Sequence, residues 1–326
     1  MKLVIAGFDG LSCGIFEQTE LPALRQLREQ AQWGVLRSEE METGASWTTV
    51  LTGWPVEVHG LRGFMGASIS NKVYFYNRPH DYIFDELAIA GYRVGVVNFP
   101  TLDVPRAIGE GSWIIGGWPY EPRAYPGTIE LPADYYTDIA DYGKRAAPQR
   151  EPVVEHHHYW WPQQVMDPDE YFEFVSANQR KRIEVAAAAP PVDVLMLQCN
   201  VMDRAGHLLS YHPDYDGLGA SHPAYGRFIE VVEASVSELQ ERFEPEFLAI
   251  VSDHGFAGRG HTPEGVWALR GPDVLPLRFD AEQGTFTPTV LDALGIRVVR
   301  QWMSVLHRRS EQAAQAETLK ALGYVE

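Results

Sequence analysis

Short apolar runs bounded by turn residues recur along the chain at 3–8, 93–97, 192–197 and 247–251. Runs this brief, continuous instead of alternating, predict strands buried on both faces, as in a parallel sheet. Between them lie stretches with apolar residues at helical spacing: Leu21, Leu24 and Leu27 within 21–32, and similar patterns over 81–89 and 223–239. Strands alternating with helices predict a layered α/β sheet.

The rhythm breaks over about 101–167, a segment rich in Pro, Gly, Trp and Tyr. It reads as a small inserted cap over a pocket, on a single domain spanning 1–326. Its aromatics Trp113, Trp118, Tyr120, Trp160 and Trp161 are expected to form a satellite core, with a substrate-lining role as the alternative. The run His156, His157, His158 reads as a solvated loop. Residues 313–322 form a helical pattern closed by Gly323, the pattern of a docked terminal helix.

Composition narrows the partners. With 326 residues and 45% hydrophobic content, the chain can bury one large core. Its formal charge of -17 is spread along the sequence and not gathered in a tail, which argues against a nucleic-acid polymer. No apolar stretch approaches the roughly 20 residues a bilayer span requires, so no membrane partner is expected. Cys13 and Cys199 offer neither a disulfide framework nor a thiolate metal site. A reducing cytoplasm is the expected setting, and no oligomeric state is assigned.

The candidate chemistry collects at the ends of the predicted strands, where α/β sheets place their ligands. Asp9 follows the first run directly. Asp203 and His207 stand four apart just after the third, and Asp253 and His254 follow the fourth. His261 lies seven residues later in the glycine-rich segment Gly258-Arg259-Gly260-His261, which can return an imidazole to the same edge. A mixed set of carboxylates and imidazoles fits zinc, or manganese as a harder substitute, better than calcium or magnesium. Two metals need roughly seven to eight ligand positions, and these residues supply six, leaving room for a nucleophile. The hydroxyl-rich segment from Thr43 to Gly53 offers one at the start of a predicted helix, whose free amides and dipole favour an anionic group. Thr43 can cap that helix or attack, and Ser46, Thr48 and Thr49 are rival hydroxyls.

The order of these motifs resembles the type I phosphodiesterase and nucleotide pyrophosphatase branch of the alkaline phosphatase superfamily. Its microbial members are the most similar. The resemblance is carried by Trp47 to Gly53 before His59-Gly60, by Asn98-Phe99-Pro100, by Asp203-Arg204-Ala205-Gly206-His207, and by Ser252-Asp253-His254-Gly255. It implies a three-layer α/β/α sandwich with a mostly parallel central sheet. It also implies hydrolysis of a small phosphodiester or related phosphorus ester through a phosphothreonine on Thr43, with two divalent ions, zinc first. By the same resemblance Asp9, Thr43, Asp253 and His254 would hold one metal, and Asp203, His207 and His261 the other.

Two departures stand out. The nucleotide pyrophosphatases carry Thr-Phe-Pro-Asn where this chain has Thr43-Gly44-Ala45-Ser46. The branch's phosphate-gripping asparagine falls, by ungapped count, on Phe64. Arg62, Asn98 and Arg204 are the candidate substitutes for that grip. Phosphomonoester hydrolysis, phosphoryl transfer, and a metal-retaining binding protein without catalysis are the alternative functions. A sulfatase is disfavoured, because no Cys/Ser-x-Pro-x-Arg segment is present.

Overall fold

In the computed structural model, which describes residues 1–61, 82–100, 102, 105–117, 121–138, 141–142, 145, 166–211 and 217–296, strand β1 (Leu3–Phe8) is buried along its whole length. Its side chains alternate between two separate cores, Val4, Ala6 and Phe8 entering one and Leu3 and Ile5 the other. A strand wet on neither face needs helices on both sides, as the continuous apolar run predicts.

The remaining strands are β2 (Gln32–Arg37), β3 (Val94–Val97), β4 (Trp113–Gly116), β5 (Arg123–Tyr125), β6 (Val194–Cys199), β7 (Phe247–Val251), β8 (Gly255–Ala257), β9 (Gly260–Thr262), β10 (Glu264–Arg270) and β11 (Ala281–Glu282). Nine of them form one sheet in the order β11-β2-β10-β7-β1-β6-β3-β4-β5, while β8 and β9 make a separate two-stranded ribbon. Pairing is parallel from β7 through β1, β6 and β3 to β4, and antiparallel where β10 and β5 join.

The helices are α1 (Cys13–Gln18), α2 (Pro22–Gln30), α3 (Thr43–Thr52), a single turn α4 (Val56–His59), α5 (Ile83–Ile89), α6 (Pro168–Ala188), α7 (Val201–Tyr211), α8 (Ile229–Phe243) and α9 (Phe286–Ala293). The core on one face takes side chains from α1, α2, α6, α7 and α8, and the core on the other from α3, α5 and α9. The result is the expected α/β/α sandwich with a mostly parallel sheet. No described helix is long and apolar enough to cross a membrane.

The segment expected to be a cap contributes to the sheet itself. Residues 113–116 read Trp-Ile-Ile-Gly, a buried strand-forming run that pairs with β3, and 123–125 add the edge strand beyond it. Trp113 is therefore part of the main core and not of a satellite. Its ring lies against Gly95 of β3, where a Cβ would approach it to 2.5 Å. Trp118, Tyr120, Trp160, Trp161, the histidines 156–158 and the 313–322 helix all lie outside the described residues.

Candidate functional site

Three parallel strands bring the acidic residues to one sheet edge. Asp9 is the first residue past β1, and its N–H donates to the Cys199 carbonyl at the end of β6. The Asp9 carbonyl in turn accepts the N–H of Asp203 at 3.0 Å, fastening the first turn of α7 to the end of β1. Gly10 makes that approach feasible: its φ is +75°, and a Cβ there would lie 2.5 Å from the Asp203 nitrogen. Gly10→Ala should displace α7 and cost about 2 kcal/mol or more, since left-handed strain adds to backbone overlap. Thermal denaturation beside metal analysis checks this, and an alanine variant as stable as wild type would contradict it.

Asp203 and His207, four apart on α7, share one helix face. His261 reaches them from β9 and not from a flexible glycine loop as its sequence context suggests. Strand β9 pairs with β8 in the register Phe256↔His261, and Phe256 packs where a Gly206 Cβ would come within 2.5 Å of its ring. The small residue in α7 thus seats the ribbon that carries the histidine.

Two groups result, each with its donor atoms within 4.8 Å of one another: Asp9, Asp253 and His254, and Asp203, His207 and His261. In the first, His254 Nε2 lies 3.4 Å from both Asp9 Oδ1 and Asp253 Oδ2. In the second, Asp203 Oδ1 is 2.9 Å from His261 Nε2 and 3.2 Å from His207 Nε2. The rings of His254 and His261 stack with centroids 4.0 Å apart, so the two groups form one continuous site.

Thr43 opens α3, half-buried, after an N-cap residue, Glu42, whose side chain makes no capping bond. Contacts on either side of it bind this helix start to the clusters. The Met41 carbonyl accepts a hydrogen bond from His261 Nδ1 at 2.9 Å, and Ser46 Oγ donates to the Asp253 carbonyl at 2.7 Å. The helix closes at Gly53, left-handed at φ +69°, whose N–H donates to the Thr49 carbonyl.

Electrostatics single out the site. Burial, reinforced by the nearby Asp203 charge, pushes the Asp9 carboxyl up to about 8, and burial with Asp9 and Asp203 holds Asp253 well above the usual carboxylate range. Burial, helped by His261, drives the His254 imidazole down to about 3. Burial alone would raise Asp203 too, but His207 and His261 outweigh it and hold its carboxyl well below the usual range. For His261 the balance is opposite: burial opposes charge, yet the bond to Asp203 holds the imidazole up at about 9.

The residues fit a pair of divalent cations. Asp9 Oδ1, both carboxylate oxygens of Asp253 and His254 Nε2 are buried with no good hydrogen-bond partner among the described residues. Buried acceptors left this way are costly, and a cation satisfies them all at once. The outer bonds suit the same role. His254 Nδ1 faces the Gly255 carbonyl and His261 Nδ1 the Met41 carbonyl, which directs each Nε2 inward, and Trp47 Nε1 donates to Asp9 Oδ2 at 3.1 Å. Trp47 opens the motif that ends at Gly53, whereas Met41 carries no signal of this in the sequence beyond its nearness to Thr43.

A sequence model of the Type I phosphodiesterase / nucleotide pyrophosphatase family matches residues 3–262. The chain belongs to this family. It is thus a phosphoryl hydrolase of the phosphodiesterase/pyrophosphatase kind. Among solved structures, murine ectonucleotide pyrophosphatase / phosphodiesterase 5 matches with a TM-score of 0.54 at 14% identity, over 92% of this chain and 96% of that one. Its human counterpart matches with 0.55 at 13%, over 91% and 96%. An inactive form of the murine protein, solved in complex with AMP, gives 0.54 at 13%, over 92% and 96%. A 2-O GAG sulfatase shares the fold with 0.52 at 11%, over 92% of this chain and 72% of its own. No curated protein matches the sequence.

Within this phosphodiesterase family member, two of the three candidate phosphate grips are committed elsewhere. Arg204 is 5% exposed and holds Asp138 Oδ2 through Nε at 3.0 Å and Nη2 at 2.7 Å, while Asn200 Nδ2 holds Asp138 Oδ1 at 2.7 Å. Asn98, fully buried at φ +62°, donates to the Thr137 carbonyl at 3.0 Å. Both serve the fold beside the site. Arg62 and Phe64 lie outside the described residues. His59, from the His-Gly pair of the motif, is likewise internal: its Nδ1 accepts the Leu61 N–H, so its Nε2 carries the proton donated to Thr49 Oγ1 at 3.0 Å.

Proposed function

We propose that the chain is a two-metal phosphodiesterase that attacks small, nucleotide-type phosphodiesters with Thr43. The observation that carries this reading is the pair of three-residue donor groups, buried except for the half-buried His261, joined by the His254–His261 stack and tied on both sides of Thr43 to the start of α3. Asp9, Thr43, Asp253 and His254 would hold one ion, and Asp203, His207 and His261 the other. Zinc, or manganese in its place, would supply positive charge that lowers the Thr43 hydroxyl pKa and offsets the charge on the departing oxygen.

The chain's own groups do the rest. Thr43 Oγ forms a bond to phosphorus while the bond to the leaving oxygen breaks, giving a phosphothreonine, and water then cleaves that ester to free Thr43. Amides at the uncapped start of α3 donate to the non-bridging oxygens. Three carboxylates and an alkoxide balance two divalent ions, so the loaded site is near neutral and admits an anion despite the chain's overall charge of -17. The AMP complex of the murine relative supports a nucleotide-type substrate here. The same reading takes the chain as one catalytic domain spanning 1–326. It also places the protein in the cytoplasm, where Cys13 and Cys199, both buried and free, stay reduced.

Bis-nitrophenyl phosphate should be hydrolysed faster than nitrophenyl phosphate or a phosphonate monoester in the presence of zinc or manganese, with AMP competing. A preference for the monoester would move the assignment to a phosphomonoesterase. Absence of turnover on all three would favour a metal-retaining binding protein.

Metal uptake should also release protons. Free Asp9 titrates near 8 and Asp253 higher than an ordinary carboxylate, and His261 near 9, so below these values the site holds protons that a cation must displace. Affinity therefore rises with pH from about 6 to 9, whereas His254, already neutral above about 3, adds nothing in that window. Titration calorimetry in buffers of different ionisation enthalpy should show at least about one proton released per chain at pH 7. An affinity that falls between pH 6 and 8 would contradict the assignment.

A further inference from the structure

Granted Thr43 as the nucleophile, a reading on which this rests, we infer that Gln283 is a positioning residue that locks the first turn of α3 against Asp253. Gln283 begins the short turn Gln283–Thr285 just after the edge strand β11, outside the 3–262 match to the family. Its side chain runs inward to the main-chain carbonyl of Asp253. Nε2 donates to that oxygen at 2.7 Å and lies 2.5 Å from Ser46 Oγ and 3.2 Å from Ser38 Oγ. Ser46 Oγ donates to the same carbonyl at 2.7 Å, and Ser38 Oγ does so as well. All four residues are buried, Gln283 at 2% exposure.

The amide orientation follows from chemistry. Turned over, it would set its carbonyl oxygen against the Asp253 carbonyl, acceptor facing acceptor at hydrogen-bond distance. One primary amide thus connects the end of β2 through Ser38, the nucleophile helix through Ser46, and the strand end that carries Asp253. Ser46 stands three residues after Thr43, on the same side of the helix. Holding Ser46 fixes the rotation of the first turn about its axis, and with it the direction in which Thr43 points relative to the Asp9–Asp253–His254 group. Ser46 is accordingly a tether and not a second nucleophile.

A misplacement of the attacking atom by about 1 Å can cost roughly 10²-fold in rate, so a tether of this kind acts on kcat more than on binding. The test uses metal-replete Gln283→Ala, Gln283→Glu and Ser46→Ala. The glutamate has nearly the same shape but puts an acceptor where Nε2 donates, which separates loss of the bond from loss of volume. Hydrogen exchange at the amides of residues 46 and 47 should quicken at least about tenfold in each folded variant, with β1 unchanged. On the diester, kcat should fall about 10- to 100-fold with KM within about threefold and two ions retained.

Unchanged exchange in α3 overturns the tether. Faster exchange with unaltered kcat, or a fall in kcat that accompanies loss of an ion, overturns the positioning role. A wild-type enzyme that hydrolyses no ester retires the Thr43 reading instead, and exchange alone then decides the tether.

Discussion

Thr43→Ala should lower kcat on a phosphodiester by at least about 10³-fold, the scale seen when a nucleophile is removed and binding is left intact. Neighbouring hydroxyls cannot take over, because each is engaged. Ser46 Oγ is held by Asp253 and Gln283, Thr48 Oγ1 donates to the Gly44 carbonyl at 2.7 Å, and Thr49 Oγ1 pairs with His59. Thr43 is a half-buried first-turn residue outside both three-residue donor groups, so its loss should leave the fold and those six side chains nearly untouched. Steady-state kinetics, melting temperature and metal content measured together separate the effects. Thr43→Ser, which keeps a hydroxyl, should recover a measurable part of the rate, and an alanine variant that stays active would remove Thr43 from the chemistry.

The second large effect concerns the clusters. His254→Ala should drop the bound metal from two ions per chain to one, and His207→Ala should empty the other position. Turnover should fall about 10³-fold or more in each case, since one bound charge no longer acts on the reacting phosphorus. The two losses differ physically. His254 is fully buried beside Asp9 and Asp253, and without its imidazole those two carboxylates face each other. They should then retain their protons more tightly, and excess metal should rescue this variant poorly. His207 stands beside the half-buried His261, so higher zinc should restore part of its activity. Elemental analysis after desalting measures both occupancies, and two ions retained in both variants would contradict the assignment.

Much of this site was legible in the sequence because strand ends in a parallel sheet are strongly constrained. The apolar runs at β1, β6 and β7 are buried on both faces, which makes them continuous, and a charged residue directly after such a run has one place to go. The i,i+4 spacing of Asp203 and His207 carried its meaning in the same way. Elements set by long-range pairing were not legible. β10 inserts antiparallel between β7 and β2, a relation between residues some 230 positions apart in the chain in the case of Val35 and Val266. Helix α6 runs 21 residues with Asn178, Gln179 and Arg182 on its buried side, which breaks the apolar stripe a sequence reader looks for. Arg182 spends its charge on the Thr137 and Gln198 carbonyls, partners that no local pattern reveals. The ribbon under His261 depends on Gly206 and Phe256 meeting across 50 residues, and the Gln283 bonds to Asp253 and Ser46 depend on contacts of the same kind.

Anomalous diffraction from crystals grown with zinc should locate both ions. Two peaks are expected in each chain, one among Asp9, Asp253 and His254 with Thr43 Oγ in reach, the other among Asp203, His207 and His261. No peak within these groups, or a single ion bound elsewhere on the surface, would contradict the account.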